Sequence, residues 1–320
     1  MDGFRIPIGE WVAAAVAWVK DNLEGVLDFI SFIVKFLVNG LTDVLLSTPI
    51  VVLIIIAALI AWAVRSIWMA VGTAVSFALI LSMGLWVAAM QTLSLVVVAA
   101  LIAVVIAIPL GIWSARNATV RTIMKPILDF MQTMPAFVYL IPAIVFFSIG
   151  VVPGLVATVI FALPPGVRMT ELGIRGVDSE TVEAGHAFGA TPGQILRGIQ
   201  LPLAMPTIMA GVNQVIMLSL SMAVIAGMAG ADGLGKLVVQ AISTVNIGKG
   251  VEAGLGVVLL AVFLDRVTAA LGTPNEHPSS LLGMMARRRG AQQAGKADAA
   301  AEAERAVASP HRAPIGGGAA

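Results

Sequence analysis

The amino-acid sequence predicts an all-α polytopic membrane protein, with about seven transmembrane helices behind an N-terminal amphipathic helix. Three observations lead there. Of 320 residues, 59% are hydrophobic and 12% charged, with a mean hydropathy of +0.98, against about 45–50% apolar and about 25% charged in globular chains. The few charges are gathered into short stretches separated by apolar gaps long enough to cross lipid. Tryptophans sit at the ends of those gaps, where amphipathic rings prefer the membrane interface. With 19 basic and 18 acidic residues the net charge is +1, which offers no nucleic-acid-binding surface. The absence of cysteine excludes disulfides, thiolate nucleophiles and zinc–thiolate sites together, and no metal site is expected.

The chain opens MDGFRIPIGEW, with Asp2 and Glu10 where a signal peptide would carry a basic run before an apolar one, so no cleaved leader is expected. Over 8–43, apolar residues such as Trp11, Trp18, Val26, Ile30 and Leu37 alternate with Lys20, Asp21, Glu24, Asp28 and Lys35. That pattern predicts an amphipathic helix, at the interface or packed against the bundle. From 44 to 115 the only charge is Arg65. A hydrocarbon core about 30 Å thick takes about 20 helical residues, dividing this stretch into spans near 44–64, 67–87 and 90–113, with Trp62, Trp68, Trp86 and Trp113 at their ends.

Arg116, Arg121 and Lys125 mark a polar loop. The following 126–167, with Asp129 as its one charge, is too long for a single crossing. Gly150, Pro153 and Gly154 predict a turn there between helices near 130–149 and 154–167. A second charged segment, 168–197, precedes a span near 203–226, and the last span lies near 252–271. The organisation expected is thus an interfacial segment 1–43, a transmembrane domain 44–272 containing a cytoplasmic loop 168–202, and a tail 273–320 that is disordered by composition, its Arg287, Arg288 and Arg289 serving as a lipid anchor. Placing the loops at Arg65, 116–125 and 168–197 inside, with the tail, puts 14 basic residues on the cytoplasmic side and five outside, as the positive-inside bias requires. The N-terminus is then expected outside and the C-terminus in the cytoplasm.

The loop segment 178–202, DSETVEAGHAFGATPGQILRGIQLP, is rich in helix punctuation. Asp178 is an N-cap, with Glu180 and Glu183 favouring the positive dipole end. Gly189 suits the left-handed position that ends a helix. Thr191 caps a second helix, with Pro192 at its first position and Gln194 completing a capping box. Ala184, Gly185, Ala187 and Gly189 keep the element thin, so its backbone is suited to lie deep in a partner's groove; the alternative is a loop packed on its own bundle.

Glu183-Ala184-Gly185, then Gly189, then Ile199-x-Leu201-Pro202 resembles the cytoplasmic signature loop of binding-protein-dependent ABC importer permeases, E-A-A-x3-G-x9-I-x-L-P, with matching spacing and Gly185 in place of the second alanine. QTMPAFVYLIP (132–142), FALPPGVRMTELGI (161–174) and LPLAMPTIMAGVNQ (201–214) resemble, more specifically, the permease subunit of glycine betaine/proline betaine importers; the likeness covers roughly 1–272. The resemblance implies the type I ABC importer permease fold in a bacterial inner membrane. It implies a homodimer of permeases forming the pathway, an extracytoplasmic substrate-binding protein, and an ATPase subunit holding the ATP and Mg. By that match Glu183, Ala184, Gly185 and Gly189 take the coupling role, while Ile199, Leu201 and Pro202 set how the loop rejoins the bundle. The substrates implied are quaternary ammonium compatible solutes: glycine betaine, proline betaine, choline or carnitine. The chain itself carries no G-x4-G-K-[ST] phosphate loop: Lys236 and Lys249 follow glycine but precede no Ser or Thr. It is therefore expected to be no enzyme and to hold no cofactor of its own.

A permanent cation needs aromatic faces or oriented dipoles along its path. Candidates are Tyr139 and Phe137, the mid-span amides Asn213 and Gln214, and carbonyls freed by Pro135, Pro142, Pro164, Pro165 and Pro206. Asp265 and Arg266, neighbours on a helix that point apart, are expected to snorkel to the interface. An ion-coupled secondary carrier would need an intramembrane carboxylate or histidine, for which Asp129 at a span's edge is the nearest candidate. An osmotically gated channel is opposed by the signature loop. A hydrolase finds no nucleophile–base pair, since His186, His277 and His311 all lie outside the spans.

Overall fold

The computed structural model describes residues 7–272, and its regular structure is helical throughout that range. The tail 273–320 and the first six residues, on which the leader, tail and arginine-anchor readings rest, lie outside the described residues, as do His277 and His311. In chain order the helices are α1 (Ile8–Asn22), α2 (Glu24–Ser47), α3 (Ile50–Val64), α4 (Ile67–Ser82), α5 (Trp86–Arg116), α6 (Ala118–Thr133), α7 (Ala136–Phe147), α8 (Val151–Arg175), α9 (Ser179–Ala187), α10 (Pro192–Ile195), α11 (Leu201–Ala226), α12 (Leu234–Ser243) and α13 (Ile247–Gly272).

Five of these stretches are long and apolar enough to cross a membrane: α2, α5, α8, α10 with α11, and α13; six if α6 and α7 count as one bent span. Two expectations shift. The boundary drawn at residue 43 falls inside α2, a 24-residue helix of crossing length. Its Val34 and Val38 pack against Val98, Ala99, Val152 and Leu155, while Phe29, Phe32 and Phe36 face outward. Conversely α3 and α4, expected as full spans, have 15 and 16 residues, roughly 22–24 Å at 1.5 Å per residue, because Pro49, Ser66 and the Gly84 turn stop them early.

The centre is α8, with α5 on one side and α11 on the other. Close approach is possible because glycines stand at the crossings: a Cβ on Gly111 would lie 2.5 Å from Thr170 Cβ, one on Gly166 2.8 Å from Ala107 Cβ, and one on Gly211 2.6 Å from Met169 Cβ. Within lipid, helices associate through such packing and not through hydrophobic burial. The turn expected at Gly150 is present, with Gly150 at φ +146 and its N–H donating to the Ala229 carbonyl at 2.9 Å, which pins it to the short turn that follows α11. Of the prolines expected to break helices, only Pro135 does so: α6 and α7 meet there at 97°, with Met134 extended as a residue before proline must be. Pro142, Pro164, Pro165 and Pro206 lie inside continuous helices.

Candidate functional site

Between α8 and α11 the loop folds as the expected helix–turn–helix, and its caps are those the sequence specifies. The Asp178 side chain accepts the Glu180 N–H at 3.0 Å and starts α9. Gly189 takes φ +77; its N–H donates to the His186 carbonyl at 2.9 Å and the Ala190 N–H donates to the Gly185 carbonyl at 3.1 Å, the two bonds of a Schellman ending. Two residues on, Thr191 N–H donates to Gln194 Oε1 at 2.8 Å and Gln194 N–H donates to Thr191 Oγ1 at 3.4 Å, the reciprocal capping box. The turn between α9 and α10 is therefore tied at both ends.

The small residues do not share one face. Gly185 is turned inward, where an added Cβ would lie 2.7 Å from Ile199 Cδ1 and 3.4 Å from Ile195 Cγ1, so the glycine admits the second arm of the loop. Glu183, Ala184, His186 and Ala187 face solvent. Beside them Phe188 is 92% exposed, a large aromatic held at the tip by the Schellman bonds. Sequence reasoning missed Phe188 because it occupies one of the three unspecified positions of the signature pattern. No atom lies within 4 Å of where a Gly189 Cβ would stand, so that glycine is required by its backbone angle.

Beyond Ile195 the chain passes through one π-helical turn, Leu196–Gln200, straight into α11. Pro202 lacks an N–H and crowds the carbonyl four residues back, that of Gly198 within this turn, and a widened turn relieves that crowding. Leu196 is buried with Ile174, Ala204 and Ile208, and Leu201 packs on this cluster. The loop is thus fastened to both α8 and α11.

Two polar clusters tie helices together above it. Glu171 on α8 accepts the Ser114 hydroxyl of α5 at 2.7 Å and pairs with Arg121 of α6 at 3.2 Å. One turn away Arg168 pairs with Asp129 of α6, so the carboxylate considered for ion coupling is engaged by an arginine. Deeper in, Asn213 of α11 donates from Nδ2 to Asp265 Oδ1 at 2.9 Å and accepts the Thr268 hydroxyl at 2.5 Å, both from α13. This corrects the expectation that Asp265 snorkels: it faces a neighbouring helix, and its contact with Arg266 is long at 3.9 Å. The pathway candidates are not brought together. Tyr139 is buried beside Met222 and Phe161, its hydroxyl donating to the Met131 carbonyl; Asn213 lies about 13 Å further along α11 from Met222 at 1.5 Å per residue; Phe137 and Gln214 are exposed.

A helical bundle of this kind, with a rigid capped loop between its two central helices, has the architecture of a transporter's membrane-spanning subunit. Residues 107–273 match the family described as binding-protein-dependent transport system inner membrane component, and the chain belongs to that family. The fold is that of type I ABC importer permeases. An inward-facing structure of the MetNI methionine ABC transporter superposes with a TM-score of 0.55 over 59% of this chain and 95% of that one, at 23% identity. Among named relatives, the glycine betaine/proline betaine transport system permease protein ProW of Escherichia coli (strain K12) is 48% identical over 83% of this chain and 75% of its own length. The glycine betaine transport system permease protein OpuAB of Bacillus subtilis (strain 168) is 49% identical over 82% and 94%. The glycine betaine/carnitine transport permease protein GbuB of Listeria monocytogenes is 47% identical over 79% and 94%. The family supports a permease role and not an ion-coupled carrier or a gated channel.

Proposed function

We propose that this chain is the permease subunit of an ATP-driven importer of quaternary ammonium solutes. Glycine betaine is the first substrate to test, with proline betaine, carnitine and choline as close chemical kin. The observation that carries the coupling half of this reading is the loop 178–202, capped at both ends and continuous with α11, with Phe188 offered to solvent. In this reading the loop docks on a separate ATPase that binds ATP and Mg, a binding protein delivers solute to the opposite face, and two permease copies enclose the path. Glu183, Ala184 and Phe188 present the docking face, Gly185 and Gly189 hold its shape, and Ile199, Leu201 and Pro202 connect it to α11.

Orientation follows from charge: Arg116, Arg121, Lys125, Arg168, Arg175 and Arg197 share the cytoplasmic side with the end of α13. With α2 as a crossing, and α3 and α4 as a hairpin that returns to the side from which it starts, parity argues for α1 on the cytoplasmic side, opposite to the side inferred when that segment is interfacial. Reconstitution with the cognate ATPase and binding protein tests the function. Betaine uptake that requires all three subunits and ATP supports it. ATP-independent flux through the chain alone would restore the carrier or channel.

A further inference from the structure

The signature loop leads directly into α11, which packs on α8 and on α13, and α13 in turn packs on the α3–α4 hairpin, with Phe263 edge-on to Phe77 at 5.3 Å between centroids. The α11–α13 contact is mostly apolar, as where Gly272 approaches Met209. Apolar helix surfaces inside lipid set proximity but resist sliding weakly, because lipid tails are as apolar as the helices. Directional bonds fix axial register. Among the described residues, the side-chain hydrogen bonds between α11 and α13 all pass through Asn213, which donates to Asp265 and accepts from Thr268.

Asp265 and Thr268 are three apart on α13 and so share the face toward α11. An open apolar groove of about 270 Å³, lined by Val96, Val212, Ile216, Leu264 and Thr268, runs beside Thr268. Asn213 stands roughly 18 Å along α11 from Leu201 at 1.5 Å per residue. A carboxylate at such depth is costly unless held by partners, and apolar surroundings strengthen the bonds that hold it.

We propose that Asp265 is a positioning residue: through Asn213 it locks α13 to α11 in one axial register, so that displacement of the loop moves both helices as a unit. What it supplies is a hydrogen-bond acceptor, and its charge is dispensable. The consequence for transport rests on the permease reading above; the lock itself does not.

Two measurements on the full chain separate the two. In the reconstituted complex, uptake and ATP hydrolysis are followed together. Asp265→Asn, which keeps the acceptor, should hold solute moved per ATP within about twofold of the parent, while Asp265→Leu should lower that ratio at least tenfold with hydrolysis retained. Asn213→Asp should be defective, and the exchanged pair Asn213→Asp with Asp265→Asn should recover. In the otherwise cysteine-free chain, Met209→Cys with Gly272→Cys should cross-link on oxidation, equally fast with Asp265→Asn and at least fivefold slower with Asp265→Leu. The proposal is overturned if Asp265→Asn is as defective as Asp265→Leu, which would make the charge itself a ligand. It is also overturned if uptake and hydrolysis fall together in proportion to surviving complex, if the exchanged pair does not recover, or if cross-linking ignores Asp265→Leu. Absence of ATP-driven uptake by the parent complex would remove the functional reading, and the cross-linking result would still decide the lock.

Discussion

Gly185 and Ile199 meet across the loop between α8 and α11, with the isoleucine Cδ1 2.7 Å from where a glycine side chain would begin. The obstacle is the end of a flexible side chain, so Gly185→Ala should be accommodated by a small rotation of Ile199, at a cost within about 1 kcal/mol. Gly185→Leu should separate α9 from α10. Protease resistance of the loop reads this: unchanged in the alanine variant, lost in the leucine variant.

Phe188 should behave as an anchor residue. A fully exposed aromatic on a rigid turn gains most when a partner's pocket desolvates it, and such residues are worth about 2 kcal/mol or more on truncation. Phe188→Ala should weaken co-purification of the ATPase at least tenfold with membrane insertion unchanged. Equal ATPase retention would show that the ring lies outside the docked surface.

At Gly189 the requirement is the left-handed backbone at φ +77, which costs an L-residue about 1–2 kcal/mol. Gly189→Ala and Gly189→Trp should therefore destabilise the isolated permease alike, since nothing lies within 4 Å. Only the tryptophan should abolish ATP-driven uptake, by filling space the partner needs. Melting curves and uptake assays on both variants check this.

The Glu171 cluster predicts an asymmetric pair of substitutions. Ser114 is buried at 1% exposure and donates to Glu171 at 2.7 Å. Glu171→Leu strands that hydroxyl and frees Arg121, and should cost about 1–3 kcal/mol. Ser114→Ala leaves Glu171 its Arg121 partner and should cost less. Thermal unfolding in detergent distinguishes them, and the reverse order would place the cluster's strength elsewhere.

The side occupied by α1 is open to direct labelling, because the chain has no cysteine. Gly25→Cys, with nothing within 4 Å, should react with an impermeant thiol reagent only after the cytoplasmic face is exposed. Reaction from the outside would return α2 to the interface.

Much of this was legible from consecutive residues. Asp178, Gly189, Thr191 and Gln194 act on backbone groups within a few residues of themselves, so the loop's caps follow from local chemistry and reappear bond for bond. The membrane setting follows equally from charge spacing, since a charge in lipid is expensive wherever it falls. The turn at Gly150 came from glycine's freedom and the parity of loops. What consecutive residues did not carry is which side of each helix meets which neighbour.

In lipid the usual guide fails: apolar side chains cover the outward and inward faces alike, so periodicity cannot separate them. Asn213 and Asp265 are 52 residues apart, and Ser114 and Glu171 are 57 apart; the glycine-lined crossing of α5 and α8 brings the second pair within bonding distance, and the packing of α13 along α11 brings the first. For the same reason the inward turn of Gly185, the outward display of Phe188 and the placement of α2 against α5 and α8 were settled by tertiary contact. Composition, charge and caps determined that the chain is a membrane bundle with a rigid capped loop; close packing decided which polar groups connect that loop to the rest.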